Sequence, residues 1–205
     1  MSVPCFVAIG DSFTAGTESA SPPFPDLVAA QLRGWRYANF AVAGARAGDV
    51  RAGQLDLALA LRPRLVSVIC GANDVVRTTR PDPGLFEADF HAILLRLRSA
   101  LPDVPIVTAT YPAVPEFLPL RERTRARITR GLKEVNAAVR RSSARHGAVC
   151  LELAGHPGRG ERANYAADGF HPSAAGHRNA AVEFAACLRD RLGIEFEFTA
   201  EEAAA

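Results

Sequence analysis

Residues 3–14 have the sequence VPCFVAIGDSFT, an apolar run that ends in a Gly-Asp-Ser turn close to the start of the chain. A short continuous apolar run closed by glycine predicts a buried strand over Phe6–Ile9. A serine just past the carboxyl end of a parallel strand lies where open α/β sheets bind their ligands. Ser12 is therefore a candidate nucleophile, although all three turn residues are ordinary turn formers and a plain turn is the competing interpretation.

Length and composition indicate a globular protein with one core. The chain has 205 residues, 48% hydrophobic and 22% charged, and we expect one domain over residues 1–193 with a peripheral tail over 194–205. The net charge of +2 gives no basic excess for binding nucleic acid. No stretch approaches the roughly 18 apolar residues of a membrane helix. The four scattered cysteines form no C-x-x-C pair and the N-terminus has no secretory pattern, so we expect a cytoplasmic protein with unpaired thiols.

Apolar runs alternate with helical patterns along the rest of the chain. Four further strands are predicted, at Tyr37–Val42, Leu65–Cys70, Pro105–Thr110 and Ala148–Leu153. Helices are predicted over Pro25–Leu32, Asp49–Leu61 and Pro83–Leu101, in an arginine-rich segment ending near Arg145, and from a Ser173 cap to Leu192. Strands that alternate with helices predict an α/β fold with a parallel sheet covered on both faces.

Each of four predicted strands is followed by a residue that acyl-transfer chemistry can use. These residues are Ser12 after the first strand, Gly44 after the second, Asn73 after the third, and Asp168 with His171 after the fifth. In a parallel sheet these strand ends share one edge, so the residues can converge.

The residue types fit the steps of acyl transfer. A serine hydroxyl needs an adjacent base, and His171 can take its proton. Asp168, three residues earlier, can orient the histidine and stabilise its charged form. The N–H groups of Ser12 and Gly44 and the amide of Asn73 can donate to the oxyanion of the tetrahedral intermediate. Glycine suits position 44 because nothing beyond Cα blocks the substrate.

These blocks resemble the GDSL family of serine esterases and lipases, also called SGNH hydrolases. The matching blocks, in order, are GDS at 10–12, NFAVAG at 39–44, GAND at 71–74 and DGFHP at 168–172. The resemblance implies a three-layer α/β/α sandwich with a flavodoxin-like five-stranded parallel sheet in the order 2-1-3-4-5. Phe13 stands where the family name has leucine, and Ala15 stands where many relatives have an acidic residue.

The loop over residues 111–120 is the main clue to the substrate. If it borders the cleft, Val114, Phe117 and Leu118 can hold an acyl chain; the alternative is that the loop packs on the helix that follows. Five arginines form either a basic patch for an anionic substrate or a solvated helix face, namely Arg121, Arg123, Arg125, Arg127 and Arg130. The remaining histidines show no metal-ligand spacing.

We therefore expect a serine hydrolase that cleaves small-molecule carboxylic esters without a metal or organic cofactor. Acyl transfer to an alcohol or amine and thioester hydrolysis would use the same groups and remain alternatives. A catalytically silent ligand-binding protein on the same scaffold is the alternative from another class.

Overall fold

The structure, a computed structural model, describes residues 3–17, 19 and 21–192, with side chains described up to residue 190. The tail predicted over residues 194–205 lies outside the described residues. One parallel sheet is formed by β1 (Cys5–Gly10), β2 (Arg36–Asn39), β3 (Leu65–Ile69), β4 (Ile106–Ala109) and β5 (Val149–Leu151). Its order, β2-β1-β3-β4-β5, confirms the predicted flavodoxin-like sheet.

The helices of the described residues connect the strands and cover the sheet. They are α1 (Ser12–Ala15), α2 (Phe24–Gln31), α3 (Ala47–Gly53), α4 (Leu55–Ala60), α5 (Ala72–Val76), α6 (Pro83–Ala100), α7 (Glu122–Arg145) and α8 (Ala174–Leu192). α2 packs against α8, whereas α6 packs against both α3 and α7. Because crossovers between parallel strands are right-handed, the two groups lie on opposite faces, as the three-layer prediction requires. None of the described helices is long and apolar enough to cross a membrane.

The central strands are buried on both faces. Every residue of β1, β3 and β4 is buried, which explains their continuous apolar sequences. On the face covered by α2 and α8, the ring of Phe184 lies 5.9 Å from that of Phe6 and 5.8 Å from that of Phe24. The carboxyl edge of this rigid sheet carries the loops that hold the candidate site.

The single helix predicted over Asp49–Leu61 is wrong, because α3 and α4 are separate helices that meet at Gln54. The Gln54 side chain is buried and turns toward the end of β1. Its Nε2 donates to the Gly10 carbonyl at 2.9 Å, and its Oε1 accepts from the Gly10 N–H at 2.8 Å. The break between α3 and α4 therefore positions the Gln54 side chain to bond both backbone polar groups of Gly10, two residues before Ser12.

The second strand is shorter than the predicted Tyr37–Val42 because Asn39 turns the chain. The Asn39 side-chain oxygen accepts from the Ala41 N–H at 3.0 Å, and its amide donates to the Thr14 carbonyl of α1 at 2.9 Å. Helix α5 was not predicted. The predicted cap of α8 is confirmed, since Ser173 Oγ accepts from the Gly176 N–H at 3.2 Å.

Candidate active site

Three of the predicted site residues form a continuous hydrogen-bonded chain. Ser12 Oγ lies 2.9 Å from His171 Nε2, and His171 Nδ1 lies 2.5 Å from Asp168 Oδ2. Ser12 begins α1 directly after β1, whereas the other two residues come from the loop between β5 and α8, 156 or more positions away. The contact of Nδ1 with a carboxylate places the ring proton on Nδ1 and leaves Nε2 free to accept from the Ser12 hydroxyl.

The Asp168 carboxylate is held by its own loop. Its Oδ1 accepts from the backbone N–H groups of Phe170 and His171, at 2.9 and 3.0 Å. Partial burial raises the pKa of Asp168, but the hydrogen bonds from the His171 ring and from these N–H groups outweigh burial and lower the pKa below its ordinary value. Asp168 is therefore ionised at neutral pH and oriented toward the ring.

Aromatic packing fixes the His171 ring. Its centroid lies 5.7 Å from that of Phe13 and 5.4 Å from that of Phe170, and these two phenyl rings meet edge to face at 5.5 Å. Gly169 has φ +71°, and a Cβ placed there would lie 3.1 Å from Leu118 Cδ1. The loop that carries Asp168 and His171 therefore packs closely against its surroundings.

Three predicted oxyanion donors lie on neighbouring strand ends. Among the residues that the structure describes, the N–H groups of Ser12 and Gly44 have no hydrogen-bond acceptor. Asn73 is buried, and its amide donates one hydrogen to the Ala45 carbonyl at 3.1 Å, which leaves the second hydrogen for another acceptor. These donors remain available to a bound ligand.

The backbone conformation at position 44 favours glycine, and the predicted room for the substrate stays a prediction. Gly44 has φ +82°, and a Cβ there would lie 2.4 Å from Arg77 Nη1, which donates to the Gly44 carbonyl at 2.8 Å. A second hydrogen bond joins the segments that follow β2 and β3, since Asp74 Oδ2 accepts from the Ala47 N–H at 3.1 Å. Arg46, two residues past Gly44, is exposed.

We expect Gly44→Ala to lower kcat about 100-fold with little change in KM, because the methyl group displaces Arg77 and moves the Gly44 N–H. The matched control is Gly34→Ala, since Gly34 has φ +77° but open space around its Cβ position. Both variants should lose about 1 kcal/mol of stability from the positive φ, measured by urea unfolding. Equal kcat values in the two variants would exclude a role for Gly44 in turnover.

Asp11 and Tyr111 form a buried pair beneath Ser12. Tyr111 Oη donates to Asp11 Oδ2 at 2.9 Å, and Asp11 Oδ1 accepts from the Phe13 N–H at 3.0 Å, so Asp11 also caps α1. Asn136 of α7 holds the Tyr111 peptide group, accepting from its N–H at 2.7 Å and donating to its carbonyl at 2.8 Å. The sequence did not single out Tyr111, Asn136 and Gln54, because it does not reveal which distant group a polar side chain meets.

Burial raises the pKa of Asp11 to about 7, against the lowering effect of the hydrogen bonds from Tyr111 and Phe13. Folded Asp11 thus binds a proton that the unfolded chain releases near pH 4. Its contribution to stability is complete below pH 4 and is lost as the pH rises through 7, by about 4 kcal/mol. Asp11→Asn, which can still accept from the Phe13 N–H, should remove this loss. The measurement is the free energy of unfolding in urea from pH 4 to 8 for the wild type and for Asp11→Asn. If the two free energies changed in parallel with pH, the predicted role of Asp11 would be contradicted.

The residues predicted to hold an acyl chain lie in the loop before α7. Val114 is buried, Leu118 is half-buried, and Phe117 is 38% exposed and meets the Tyr165 ring edge to face at 5.3 Å. Val114 lines a small pocket together with Phe13 and Ala72, the neighbours of Ser12 and Asn73. Their role in substrate binding stays a prediction.

Two of the five arginines predicted to form a patch or a solvated face donate to backbone carbonyls of neighbouring segments. Arg125 donates to the carbonyls of Pro115, Glu116 and Leu118, and Arg127 donates to those of Val75 and Thr78. Neither side chain fits the expectation of a free basic patch or a solvated face, because each is half-buried and used in loop anchoring.

The other histidines lie away from Ser12. His146 Nε2 lies 2.9 Å from His91 Nδ1, a pairing that their sequence spacing did not show. His156 Nδ1 accepts from the Gly158 N–H at 3.1 Å, and His177 is fully buried in α8. Over residues 3–17, 19 and 21–192, no three His, Cys, Asp or Glu side chains are grouped to hold a metal ion.

The fold and the polar residues at its carboxyl edge are typical of hydrolases of the GDSL type. The chain belongs to the GDSL-like lipase/acylhydrolase family, whose model matches residues 8–178. A comparison with curated protein sequences gives no match.

Solved structures share the fold over nearly the whole chain. A lipase/acylhydrolase from Enterococcus faecalis is 23% identical, with a TM-score of 0.75 over 94% of this chain and 98% of the other. A catalytic mutant of an acetylxylan esterase from Geobacillus stearothermophilus is 21% identical, with a TM-score of 0.73 over 95% of each chain. Phospholipase A1 from Streptomyces albidoflavus is 20% identical, with a TM-score of 0.73 over 89% of this chain and 98% of the other.

Proposed function

We propose that the protein is a serine hydrolase that cleaves carboxylic esters through an acyl-enzyme on Ser12. The observation that carries the proposal is the chain from Ser12 Oγ to His171 Nε2 at 2.9 Å and from His171 Nδ1 to Asp168 Oδ2 at 2.5 Å. Membership of the GDSL-like lipase/acylhydrolase family supports the same reaction class.

In acylation, Ser12 Oγ attacks the ester carbonyl carbon while His171 Nε2 takes the hydroxyl proton. The carbonyl oxygen becomes an oxyanion that accepts from the N–H groups of Ser12 and Gly44 and from the Asn73 amide. The intermediate then expels the alcohol, which takes the proton from Nε2. Water attacks the acyl-enzyme by the same route and releases the acid. Asp168 orients the ring and stabilises its charged form in both halves.

We propose short acyl chains as the preferred substrates. The pocket that Phe13, Ala72, Tyr111, Val114 and Phe170 share has a volume of about 20 Å³, room for roughly one methyl-sized or water-sized group. The neighbouring structures include an acetylxylan esterase and a phospholipase A1, so the shared fold accommodates both small and large acyl esters in those proteins.

The proposal is tested with p-nitrophenyl acetate, butyrate and octanoate. We expect measurable kcat/KM for acetate and butyrate and a value for octanoate at least about 10-fold lower, since each unburied methylene forfeits transfer free energy. Release of acid and alcohol in equal amounts identifies hydrolysis. Absence of turnover on all three esters would contradict the proposal.

The same assay separates the alternative functions. Added alcohol or amine acceptors should leave acid as the main product; acylated acceptor as the main product would identify an acyltransferase. An acetyl thioester hydrolysed faster than acetate esters would identify a thioesterase. A silent ligand-binding protein would show neither reaction.

We also propose that the protein acts on a small-molecule ester in a reducing compartment, namely the cytoplasm. The support is that none of the four cysteines, all of which lie within the described residues, forms a disulfide, and that Cys5 and Cys70 are buried. This proposal would fail if the isolated protein contained disulfides.

A further inference from the structure

The Gln54 side chain stands where a neighbouring strand would pair with the end of β1. The pairing of β1 with β2 ends at Ala8 and Asn39, and there the Asn39 side chain turns the chain. Beyond that pair, Gln54 Oε1 accepts from the Gly10 N–H at 2.8 Å and Gln54 Nε2 donates to the Gly10 carbonyl at 2.9 Å. The amide therefore supplies the two hydrogen bonds that the backbone of a parallel strand would otherwise supply.

Gly10 joins the two segments that carry the predicted backbone oxyanion donors. Its carbonyl accepts a second hydrogen bond, from the Val42 N–H at 3.2 Å, and Val42 lies two residues before Gly44. Gly10 itself lies two residues before Ser12. Loss of the Gln54 amide would therefore loosen the point from which the N–H groups of both Ser12 and Gly44 are placed.

The third predicted donor, the Asn73 amide, is connected to the same point. The Asp11 N–H donates to the Ile69 carbonyl at the end of β3 at 3.1 Å, and Asn73 follows Ile69 by four residues. The Asn73 amide also donates to the carbonyl of Ala45, the residue after Gly44, at 3.1 Å. The three donors therefore belong to one hydrogen-bonded network around the end of β1.

Gln54 is 3% exposed, so its contacts with Gly10 are made away from water. A buried hydrogen bond holds its partners more strictly than an exposed one, because breaking it leaves polar groups that water does not reach. An apolar side chain at position 54 would leave the Gly10 N–H without the Gln54 oxygen, and the end of β1 would have to shift to satisfy it.

We propose that Gln54 is a positioning residue for ester hydrolysis, because it holds the Gly10 peptide group and thereby keeps the N–H groups of Ser12 and Gly44 directed at the oxyanion. The inference rests on the proposed hydrolase function. Removal of one oxyanion donor lowers kcat by about 10²- to 10³-fold, and a displacement of about 1 Å costs about 10²-fold. Because the oxyanion forms only after the ester is bound, KM should change little.

Gln54→Met tests the proposal, since it removes both hydrogen bonds at nearly constant volume. Gln31→Met, at the last residue of α2, is the matched control. Competent sites are counted by the p-nitrophenol that a p-nitrophenyl alkylphosphonate releases when labelling is complete, and kcat for p-nitrophenyl acetate is expressed per site. We expect Gln54→Met to keep a full count of sites, with kcat per site about 30- to 100-fold lower and KM within about threefold. Gln31→Met should match the wild type.

The affinity for butylboronic acid is a readout that a purely structural role would not change. The boron forms a tetrahedral adduct with an activated serine, and one of its oxygens takes the place of the oxyanion. The inhibition constant of Gln54→Met should therefore rise by about the factor by which its kcat/KM falls. A reduced count of sites with unchanged kcat per site and an unchanged inhibition constant would show a structural role only, and would overturn the proposal.

Gln54→Asn keeps the amide but lacks one methylene, so it reaches at most one of the two polar groups of Gly10. Its kcat per site should be about tenfold below the wild-type value, and this variant decides the question if Gln54→Met fails to fold. Wild-type values of kcat per site and of the inhibition constant in Gln54→Asn would overturn the positioning role alone. A wild-type protein that neither hydrolyses p-nitrophenyl acetate nor reacts with the phosphonate would overturn the hydrolase function as well.

Discussion

Ser12→Ala should lower kcat for p-nitrophenyl acetate by about 10⁵- to 10⁶-fold, the largest effect that any single substitution in this protein is expected to have. The variant loses the atom that would form the acyl bond, and water must attack instead. The residual rate comes from binding and from the donors of Gly44 and Asn73, which remain. The measurement is kcat and KM under single-turnover and steady-state conditions.

The fold should tolerate this change. The Ser12 hydroxyl contacts His171, while the cap of α1 comes from Asp11. Ser67→Ala is the matched control, because Ser67 is equally buried in β3 and its hydroxyl has no partner in the described part of the structure. We expect wild-type kcat for Ser67→Ala. A Ser12→Ala protein that keeps more than about a tenth of the wild-type kcat would show that another residue is the nucleophile.

Asp168→Asn should lower kcat by about 10⁴-fold, the second largest effect, with little loss of stability. Asp168 Oδ1 accepts from two backbone N–H groups, and the carbonyl oxygen of asparagine would take that place. The amide NH₂ would then face His171 Nδ1, which must become the acceptor. The ring proton would move to Nε2, where it points at Ser12 and prevents the ring from acting as a base.

Substitutions at Asp168 distinguish its role in orienting the His171 ring from the effect of its negative charge. kcat should fall while KM stays within about threefold, because Asp168 is expected to act through His171 and not to bind the ester itself. Asp168→Glu keeps the charge but lengthens the side chain, and should retain more activity than Asp168→Asn. Near-wild-type kcat in Asp168→Asn would mean that the carboxylate serves only its loop.

The sheet and the residues at its edge were predictable because both depend on local patterns. Each predicted strand is largely an apolar run, and Ser12, Gly44 and Asn73 follow such runs within a few residues, so chain order placed them at one edge. Asp168 and His171 lie further along the loop after β5. The resemblance to the GDSL family supplied the strand order, which the pattern alone left open. The end of a strand was less predictable where a side chain turns the chain, as Asn39 does.

The features that the sequence did not predict depend on contacts between segments that are distant in the chain. The helical pattern is interrupted at Gln54, whose side-chain amide bonds the backbone of Gly10, 44 residues earlier. Arg77 occupies the space beside Gly44, and Tyr111 meets Asp11 across 100 residues. Each contact joins polar groups that carry no periodic signal, so only the folded backbone reveals the partner.

The most direct test of the central claim is mass spectrometry of the intact protein after treatment with a p-nitrophenyl alkylphosphonate. The reagent transfers its phosphonyl group to an activated serine and releases one p-nitrophenol. We predict one phosphonyl group per chain, located at Ser12 in the peptide map, loss of ester hydrolysis in proportion to labelling, and no adduct in Ser12→Ala. Absence of an adduct, or an adduct elsewhere that forms equally in Ser12→Ala, would contradict the account.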